Sequence, residues 1–93
     1  MIKVNEYFGG AVKSLALTTN EGPVTVGVIK VGEYEFGTDT IEIMTVIAGS
    51  MDALLPNETA WKTYKQFEAF EVAKGVKFKV RCSNEVAYRC EYK

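Results

Sequence analysis

The stretch FGTDTIEIMTVIAG, residues Phe36 to Gly49, gives the first indication of the fold. Within it Glu42 stands in a run of β-branched and apolar residues and is followed by six residues and then Gly49. Alternation along a strand places Glu42, Met44 and Val46 on one face and Ile43, Thr45 and Ile47 on the other. Both faces carry apolar residues, as expected when one lines a barrel and the other packs on a second sheet or subunit. The pattern predicts a strand that brings one carboxylate to an apolar interior.

The spacing from Glu42 to Gly49 resembles the end of the first conserved motif of the cupin β-barrels. In cupins that glutamate is preceded by two histidines and binds a metal, whereas the matching positions here are Phe36 and Thr38. The resemblance implies an all-β fold, a small single-domain cupin-like (RmlC-like) jelly-roll β-barrel, without the usual metal ligands.

Length and charge limit the classes of protein. Ninety-three residues suit one domain, so we expect a single cupin-like barrel over residues 1–93. Eleven basic and twelve acidic residues leave a net charge of -1, with no charged block that would bind a nucleic acid or a membrane. The start of the chain, MIKVNEYFGG, lacks the apolar core of a secretory signal, and no run of eighteen apolar residues is present. We therefore expect a cytoplasmic protein with no nucleic-acid or membrane partner.

The numbers of histidine and cysteine residues limit the possible metal sites and cofactors. The chain has no histidine and two cysteines, Cys82 and Cys90, too few nitrogen and sulfur ligands for a catalytic or structural zinc site. A magnesium or calcium site built from carboxylates alone stays open. A nucleophile activated by histidine is excluded by the same count. We expect no metal and no cofactor.

Short β-branched and aromatic runs predict strands almost throughout. Turn residues such as Gly, Pro, Asn and Ser separate them at intervals typical of a barrel or sandwich. Only ETAWKTYKQF, residues 58–67, could form a helical turn. The predicted strands are Val12–Thr18, Val24–Val31, Glu33–Phe36, Ile41–Ala48, Met51–Leu55, Phe67–Val72, Lys77–Cys82 and Val86–Tyr92.

The last two predicted strands can be paired as a hairpin around Ser83–Glu85. This register sets Cys82 opposite Val86, Val80 opposite Tyr88 and Phe78 opposite Cys90, so that the large apolar side chains share one face. The two cysteines would then be roughly 13 Å apart at the usual strand rise, too far for a disulfide. We expect two free thiols, as in a reducing compartment.

A second hairpin is predicted with its turn at Val31-Gly32. It pairs Ile29 with Tyr34, Gly27 with Phe36 and Thr25 with Thr38. Gly27 would leave room for the ring of Phe36 or for a ligand. Glu42 would lie in an aromatic-lined cavity, where desolvation raises the pKa of a carboxyl and suits it to donate a proton or accept a hydroxyl. The alternative is a solvated acid at a strand end.

Several blocks in order along the chain resemble the cupin-type pyrimidine/purine nucleoside phosphorylases of bacteria. The resemblance covers nearly the whole chain and implies a homodimeric β-barrel that splits purine and pyrimidine nucleosides with phosphate, giving free base and ribose 1-phosphate. One departure is Ala73-Lys74, where this family tends to have a proline. The blocks are NEYF (5–8), VKS (12–14), GEYEFGT (32–38), Glu42 with MTV (44–46) and Gly49, LLP (54–56), Trp61 to Tyr64, and YRCEY (88–92).

The implied reaction needs binding sites for the base, the ribose and the phosphate, and it needs no metal. The base needs an aromatic or apolar slot, the ribose a hydroxyl acceptor, and the phosphate a cation or amide donors. Phe78 stands where a metal cupin has its last histidine. The candidates are Tyr34, Phe36, Met44 and Phe78 for the base, Glu42 with Thr38 for the ribose, and Lys13, which shares a strand face with Leu15 and Leu17, for the phosphate.

Two other classes stay open at the level of sequence. Each aromatic candidate could simply fill the barrel, because aromatic stripes usually do. A metal-free barrel could bind a small metabolite without turning it over, or serve as a structural dimer closed by its own aromatic residues.

Overall fold

The chain folds into ten β-strands, and the computed structural model describes residues 1–93. One short 3-10 turn, Phe8–Gly10, follows the first strand, and no helix is long and apolar enough to cross a membrane. The strands are β1 (Lys3–Tyr7), β2 (Val12–Thr19), β3 (Gly22–Ile29), β4 (Gly32–Gly37), β5 (Glu42–Ala48), β6 (Met51–Leu54), β7 (Lys62–Tyr64), β8 (Ala69–Val72), β9 (Lys77–Cys82) and β10 (Val86–Tyr92).

The eight predicted strands are all present, with bounds that shift by up to two residues. Two further strands, β1 and β7, were not predicted from the sequence. The helical turn that residues 58–67 could have formed is absent, because Lys62–Tyr64 pairs with β6 as an edge strand, with Tyr64 opposite Met51. Both unpredicted strands lie at sheet edges, where only one side needs a partner and the apolar alternation is weak.

Two antiparallel sheets face each other around one core. The larger sheet has the order β1-β2-β3-β10-β5-β8, and the smaller one the order β4-β9-β6-β7. Fourteen buried side chains from the two inner faces fill the space between them, which is the arrangement of a jelly-roll barrel. They are Val12, Ile29, Met44, Val46, Met51, Ala53, Tyr64, Phe70, Val72, Phe78, Val80, Val86, Tyr88 and Cys90.

Both hairpins expected from the sequence are wrong. Strand β9 pairs with β4 and β6, whereas β10 pairs with β3 and β5, so the Ser83–Glu85 loop crosses from one sheet to the other. The turn at Val31-Gly32 likewise connects the two sheets, because β3 pairs with β2 and β10 while β4 pairs with β9. The inward face was nevertheless predicted correctly for Phe78, Val80, Tyr88 and Cys90, which are all buried. Alternation specifies the buried face of a strand, and it does not specify the neighbouring strand.

Gly27 lies opposite Tyr88 on β10, and not opposite Phe36 as the sequence suggested. A Cβ at this position would lie 2.6 Å from the carbonyl oxygen of Lys13 and 2.8 Å from the Tyr88 ring. The missing side chain therefore gives the Tyr88 ring its place on the inner face of the large sheet.

Candidate active site

A cavity of about 550 Å³ opens between the two sheets at the end where β5 begins. Its volume is in the range of small-molecule sites. Fourteen residues from both sheets and from the segments after β1 and β4 line it: Tyr7, Phe8, Ser14, Glu35, Phe36, Gly37, Asp39, Thr40, Glu42, Met44, Phe78, Tyr88, Cys90 and Tyr92.

Glu42 is the first residue of β5 and is half-buried in the cavity wall. It lies between Tyr92 of β10 and Val72 of β8 in the ladder of the large sheet. The Cys90 thiol donates a hydrogen bond to Glu42 Oε1 at 3.4 Å. Burial raises the pKa of Glu42 above its ordinary value, although the Cys90 hydrogen bond partly offsets this, and the negative charge of Asp39 adds to it. The raised pKa that the sequence predicted for Glu42 is confirmed.

The inner face of β10 forms a polar wall beside Glu42. Tyr88, Cys90 and Tyr92 follow one another at alternate positions on this face. Burial raises the pKa of Tyr88 to about 12 and the pKa of Cys90 to about 12, so both groups keep their protons near neutral pH. The Tyr92 hydroxyl shares a hydrogen bond of 2.9 Å with Thr25 on β3. This wall therefore consists of neutral hydroxyl and thiol groups.

The opposite wall is aromatic. The rings of Phe36 and Phe78 stack with centroids 5.7 Å apart, and Phe8 meets the Phe36 ring edge-on at 5.5 Å. Tyr34 lies 5.0 Å from Phe8, and its hydroxyl donates to the Lys30 carbonyl at 2.9 Å. This geometry gives the cavity a flat apolar surface that could accept a planar ring.

Phe8 occupies a strained position at the cavity mouth. It has φ 54°, and the two glycines after it have φ 65° and 92°, so three successive residues adopt left-handed conformations. For a residue with a side chain this costs about 1–3 kcal/mol. Phe8 is 49 % exposed, so burial of its ring only partly offsets this cost. The contacts with Tyr34 and Phe36 hold it over the cavity.

Four of the predicted site residues come together in this cavity, namely Glu42, Phe36, Met44 and Phe78. Tyr34 lies behind Phe8 and does not line the cavity itself. Thr38 is also absent from the lining, because its hydroxyl donates to the Ala73 carbonyl at 2.7 Å and accepts from the Val76 amide at 3.1 Å. These bonds fasten the turn after β8, which contains Ala73-Lys74.

Lys13 lies on the outer face of β2, opposite Glu6 of β1, and does not line the cavity. Its side chain runs toward the turn that follows β1. A Cβ built on Gly10 would lie 3.6 Å from Lys13 Cε and 3.3 Å from Glu6 Oε1. Lys13 therefore reaches the outside of the same turn whose inside presents Phe8 to the cavity.

The sequence interpretation missed several lining residues. Tyr7 and Phe8 were missed because β1 was not predicted, and Tyr88, Cys90 and Tyr92 because the strand that contains them was paired with the wrong partner. The signal for the second group was present in YRCEY, whose alternate residues share the buried face. No sequence pattern identified the remaining polar lining residues Ser14, Asp39 and Thr40.

The charged groups that line the cavity are Glu35, Asp39 and Glu42, all of them acidic. No three acidic or thiol groups lie close enough to form a metal-binding cluster. Both cysteines are free, which confirms the expected thiols, although the hairpin used to separate them does not exist. The fold and the site together define a small cupin-type barrel with an aromatic cavity, one half-buried acid and no histidine.

Comparisons with known proteins identify the family. The model of the pyrimidine/purine nucleoside phosphorylase family matches residues 2–92. A protein from Pseudomonas syringae pv. tomato named pyrimidine/purine nucleoside phosphorylase is 48 % identical over 93 residues, which cover 100 % of both chains. A protein of the same name from Pseudomonas fluorescens is 47 % identical over 93 residues, which cover 100 % of this chain and 99 % of that one. The chain belongs to the pyrimidine/purine nucleoside phosphorylase family, a family of enzymes.

Solved structures agree with this assignment of the fold. A protein from Vibrio parahaemolyticus superposes with a TM-score of 0.96 at 41 % identity, covering 100 % of this chain and 99 % of that one. An RmlC-like cupin from Shewanella frigidimarina superposes with a TM-score of 0.75 at 17 % identity, covering 96 % and 80 % of the two chains, and at that identity it supports the fold alone. The predicted cupin-like jelly roll is confirmed.

Proposed function

We propose that this protein is a nucleoside phosphorylase of broad specificity that works in the cytoplasm. It splits purine and pyrimidine ribonucleosides with inorganic phosphate and gives the free base and ribose 1-phosphate. The observation that supports this best is Glu42, a half-buried carboxylate in the wall of an aromatic cavity large enough for a nucleoside. Membership of the family favours this enzyme over a barrel that only binds a metabolite.

The base is proposed to lie against the aromatic wall. Phe36 and Phe78 offer stacked rings, Met44 lies beside them in the lining, and Phe8 stands at the mouth with Tyr34 behind it. Stacking on a ring face does not distinguish one base edge from another. A slot of this kind therefore suits both purines and pyrimidines.

Glu42 is proposed to bind a ribose hydroxyl and to stabilise the reacting sugar. The bond from C1′ to the base nitrogen breaks with its electron pair leaving on the base, and an oxygen of hydrogen phosphate forms the new bond to C1′. The proton that hydrogen phosphate loses balances the proton that the departing base takes up. Positive charge develops on the sugar in between, and a fixed carboxylate in a poorly solvated site favours it. Thr38 supports the site by anchoring the segment whose next residues, Asp39 and Thr40, line the cavity.

Lys13 is proposed to attract the phosphate. The charged lining residues are acidic, so a dianion needs amide donors or a cation from just outside the lining. Lys13 lies at the outer side of the Phe8–Gly10 turn, next to the cavity mouth. Replacing Lys13 with Met should raise the KM for phosphate and leave the KM for nucleoside unchanged. An unchanged KM for phosphate would exclude Lys13 from phosphate binding.

The protein is proposed to be a homodimer formed by sheet packing. Val4, Leu15 and Val26 lie side by side across β1, β2 and β3 on the outer face of the large sheet and are 43–58 % exposed. Leu17 and Val28 extend this apolar surface. Light scattering should give the mass of a dimer for the wild type and of a monomer for Leu15→Glu. A wild-type monomer at micromolar concentration would contradict the proposal.

The reaction itself is tested by incubating the protein with uridine or adenosine in phosphate buffer and again without phosphate. Release of base together with ribose 1-phosphate, in phosphate only, is the expected result. Release of base and free ribose in both buffers would indicate a hydrolase. Tight binding of the nucleoside without any release would indicate a binding protein.

A further inference from the structure

Cys90 is a buried thiol in the cavity wall, and the reaction proposed above gives it no role. It is 2 % exposed and lies on the inner face of β10, opposite Thr25 of β3 and Met44 of β5. Its thiol donates to Glu42 Oε1 at 3.4 Å. Cys82, the other thiol, donates instead to the Lys30 carbonyl, and it does not line the cavity.

The contact between Cys90 and Glu42 is fixed by the register of the large sheet. Glu42 lies directly opposite Tyr92 on β10, so Cys90 is its diagonal neighbour two residues away on the same face. Diagonal neighbours in an antiparallel pair are within reach of each other's side chains. The Tyr92 hydroxyl shares a hydrogen bond of 2.9 Å with Thr25, and it makes no hydrogen bond to the Glu42 carboxylate.

Only one of the two carboxylate oxygens of Glu42 receives a hydrogen bond from the protein. Oε1 accepts from the Cys90 thiol, and no protein donor reaches Oε2. Because Glu42 lines the cavity, the second oxygen is the one left for a ligand. A carboxylate held at one oxygen by a neutral donor keeps a single orientation without losing its charge.

The surroundings keep the Cys90 thiol protonated, which is the form that donates a hydrogen bond. Burial and the neighbouring Glu42 carboxylate raise the pKa of Cys90 to about 12, so the thiol stays protonated over the whole neutral range. The same hydrogen bond lowers the pKa of Glu42, against the stronger effect of burial. The other titratable groups that line the cavity around this pair are Tyr7, Glu35, Asp39, Tyr88 and Tyr92. The charge of Glu91, the next residue of β10, also raises the pKa of Cys90, while Phe36 and Phe78 of the opposite sheet and Val72 of β8 are uncharged.

We propose that Cys90 is a positioning residue, whose thiol holds Glu42 Oε1 so that Oε2 faces the ribose hydroxyl of the bound nucleoside. This role rests on the function proposed above for Glu42. Cys90 acts through Glu42 in this role, and its thiol forms no covalent bond with the substrate.

The first arm of the test measures Glu42 directly, without substrate. Carbon-13 NMR titration of the Glu42 side-chain carboxyl, assigned by its loss in Glu42→Gln, gives the pKa of Glu42 in each variant. Cys90→Ala and Cys90→Val, which lack a donor, should both raise the pKa of Glu42 above its wild-type value, and Cys90→Ser should return it toward the wild-type value because the hydroxyl donates. Cys82→Ala is the matched control and should leave the pKa of Glu42 unchanged. An unchanged pKa in both donor-free variants would overturn the proposal.

The second arm measures phosphate-dependent base release. Loss of one hydrogen bond should lower kcat about five- to tenfold in Cys90→Val, with the acid limb of the pH profile moved to higher pH, and Cys90→Ser should recover most of the activity. Unchanged kcat and pH profile in Cys90→Val, with the pKa of Glu42 raised, would overturn the positioning role. No phosphorolysis by the wild type would refute the proposed function, and the NMR arm would still decide whether Cys90 controls Glu42.

Discussion

Replacing Glu42 with Gln should separate activity from stability in this protein. The substitution keeps the length of the side chain and an oxygen that can accept the hydrogen bond from the Cys90 thiol at 3.4 Å. It removes the negative charge from the cavity wall. The neighbours Tyr92, Val72 and Cys90 need not move, so the change isolates the charge from the packing.

Turnover should fall by roughly two to four orders of magnitude. This range is typical when a positioned acid, base or electrostatic stabiliser is lost. At 1.36 kcal/mol for each factor of ten it corresponds to about 3–5 kcal/mol of transition-state stabilisation. The loss should appear mainly in kcat, because the carboxylate interacts more strongly with the charged transition state than with the neutral nucleoside.

The stability of Glu42→Gln should rise relative to wild type, although its turnover falls. Burial raises the pKa of Glu42, so the folded state binds the proton more tightly than the unfolded chain does. The stabilising contribution of this group is therefore fully present below its unfolded pKa and is lost as the pH rises through its folded pKa. Gln has no charge to desolvate. The Tm of Glu42→Gln relative to wild type should consequently rise as the pH increases from about 4 through the folded pKa of Glu42, and should level off above that pKa.

The assay is phosphate-dependent release of uracil or adenine, measured together with the Tm of the same preparations. Glu71→Gln is a suitable control, because Glu71 is an exposed acid on β8 next to the partner of Glu42 and should change turnover by less than about twofold. Near-normal turnover in a normally folded Glu42→Gln would refute the reasoning and leave Glu42 as an ordinary acid at a strand end.

Three further predictions concern the cavity and its chemistry. Phe36→Ala should raise the KM for nucleoside and destabilise the fold by about 2–4 kcal/mol, since the ring stacks on Phe78; an unchanged KM would remove Phe36 from the base slot. Gly27→Ala should lower the Tm by roughly 5–20 °C, equivalent to about 1–3 kcal/mol, because its Cβ would lie 2.6 Å from a backbone oxygen and 2.8 Å from Tyr88; a normal Tm would show that the sheet can relax there. EDTA should leave turnover unchanged, since phosphate is the nucleophile and the chain has no histidine, and activity lost to EDTA and restored by a divalent ion would contradict this.

The fold class could be predicted from the sequence because alternation and turn residues are local signals. They placed eight strands and assigned the buried face of Phe78, Val80, Tyr88 and Cys90 correctly. The neighbours of each strand could not be predicted in the same way. The short loops after β3 and β9 permit either a hairpin or a crossing to the other sheet, and the choice depends on how both sheets bury their apolar faces together.

The site was predictable to the extent that it lies on strands whose buried face was known. Glu42, Met44, Phe36 and Phe78 were found in this way. Thr38 shows the limit of the approach, because a small polar residue next to a site can serve either a ligand or the backbone. Here its hydroxyl is occupied by the Ala73–Val76 turn, a contact across 35 residues of sequence that no local pattern specifies.

The cavity and the core of this small barrel share their side chains, and this restricts how the site can change. Met44, Phe78, Tyr88 and Cys90 belong to the buried cluster and also line the cavity. A substitution at any of them alters packing and ligand contacts together, so a fall in activity there does not by itself indicate a role in the reaction. Glu42 is different, because burial opposes its charge and the fold gains little from keeping it. A half-buried acid that the fold would be more stable without is more readily explained by the chemistry of the cavity than by packing.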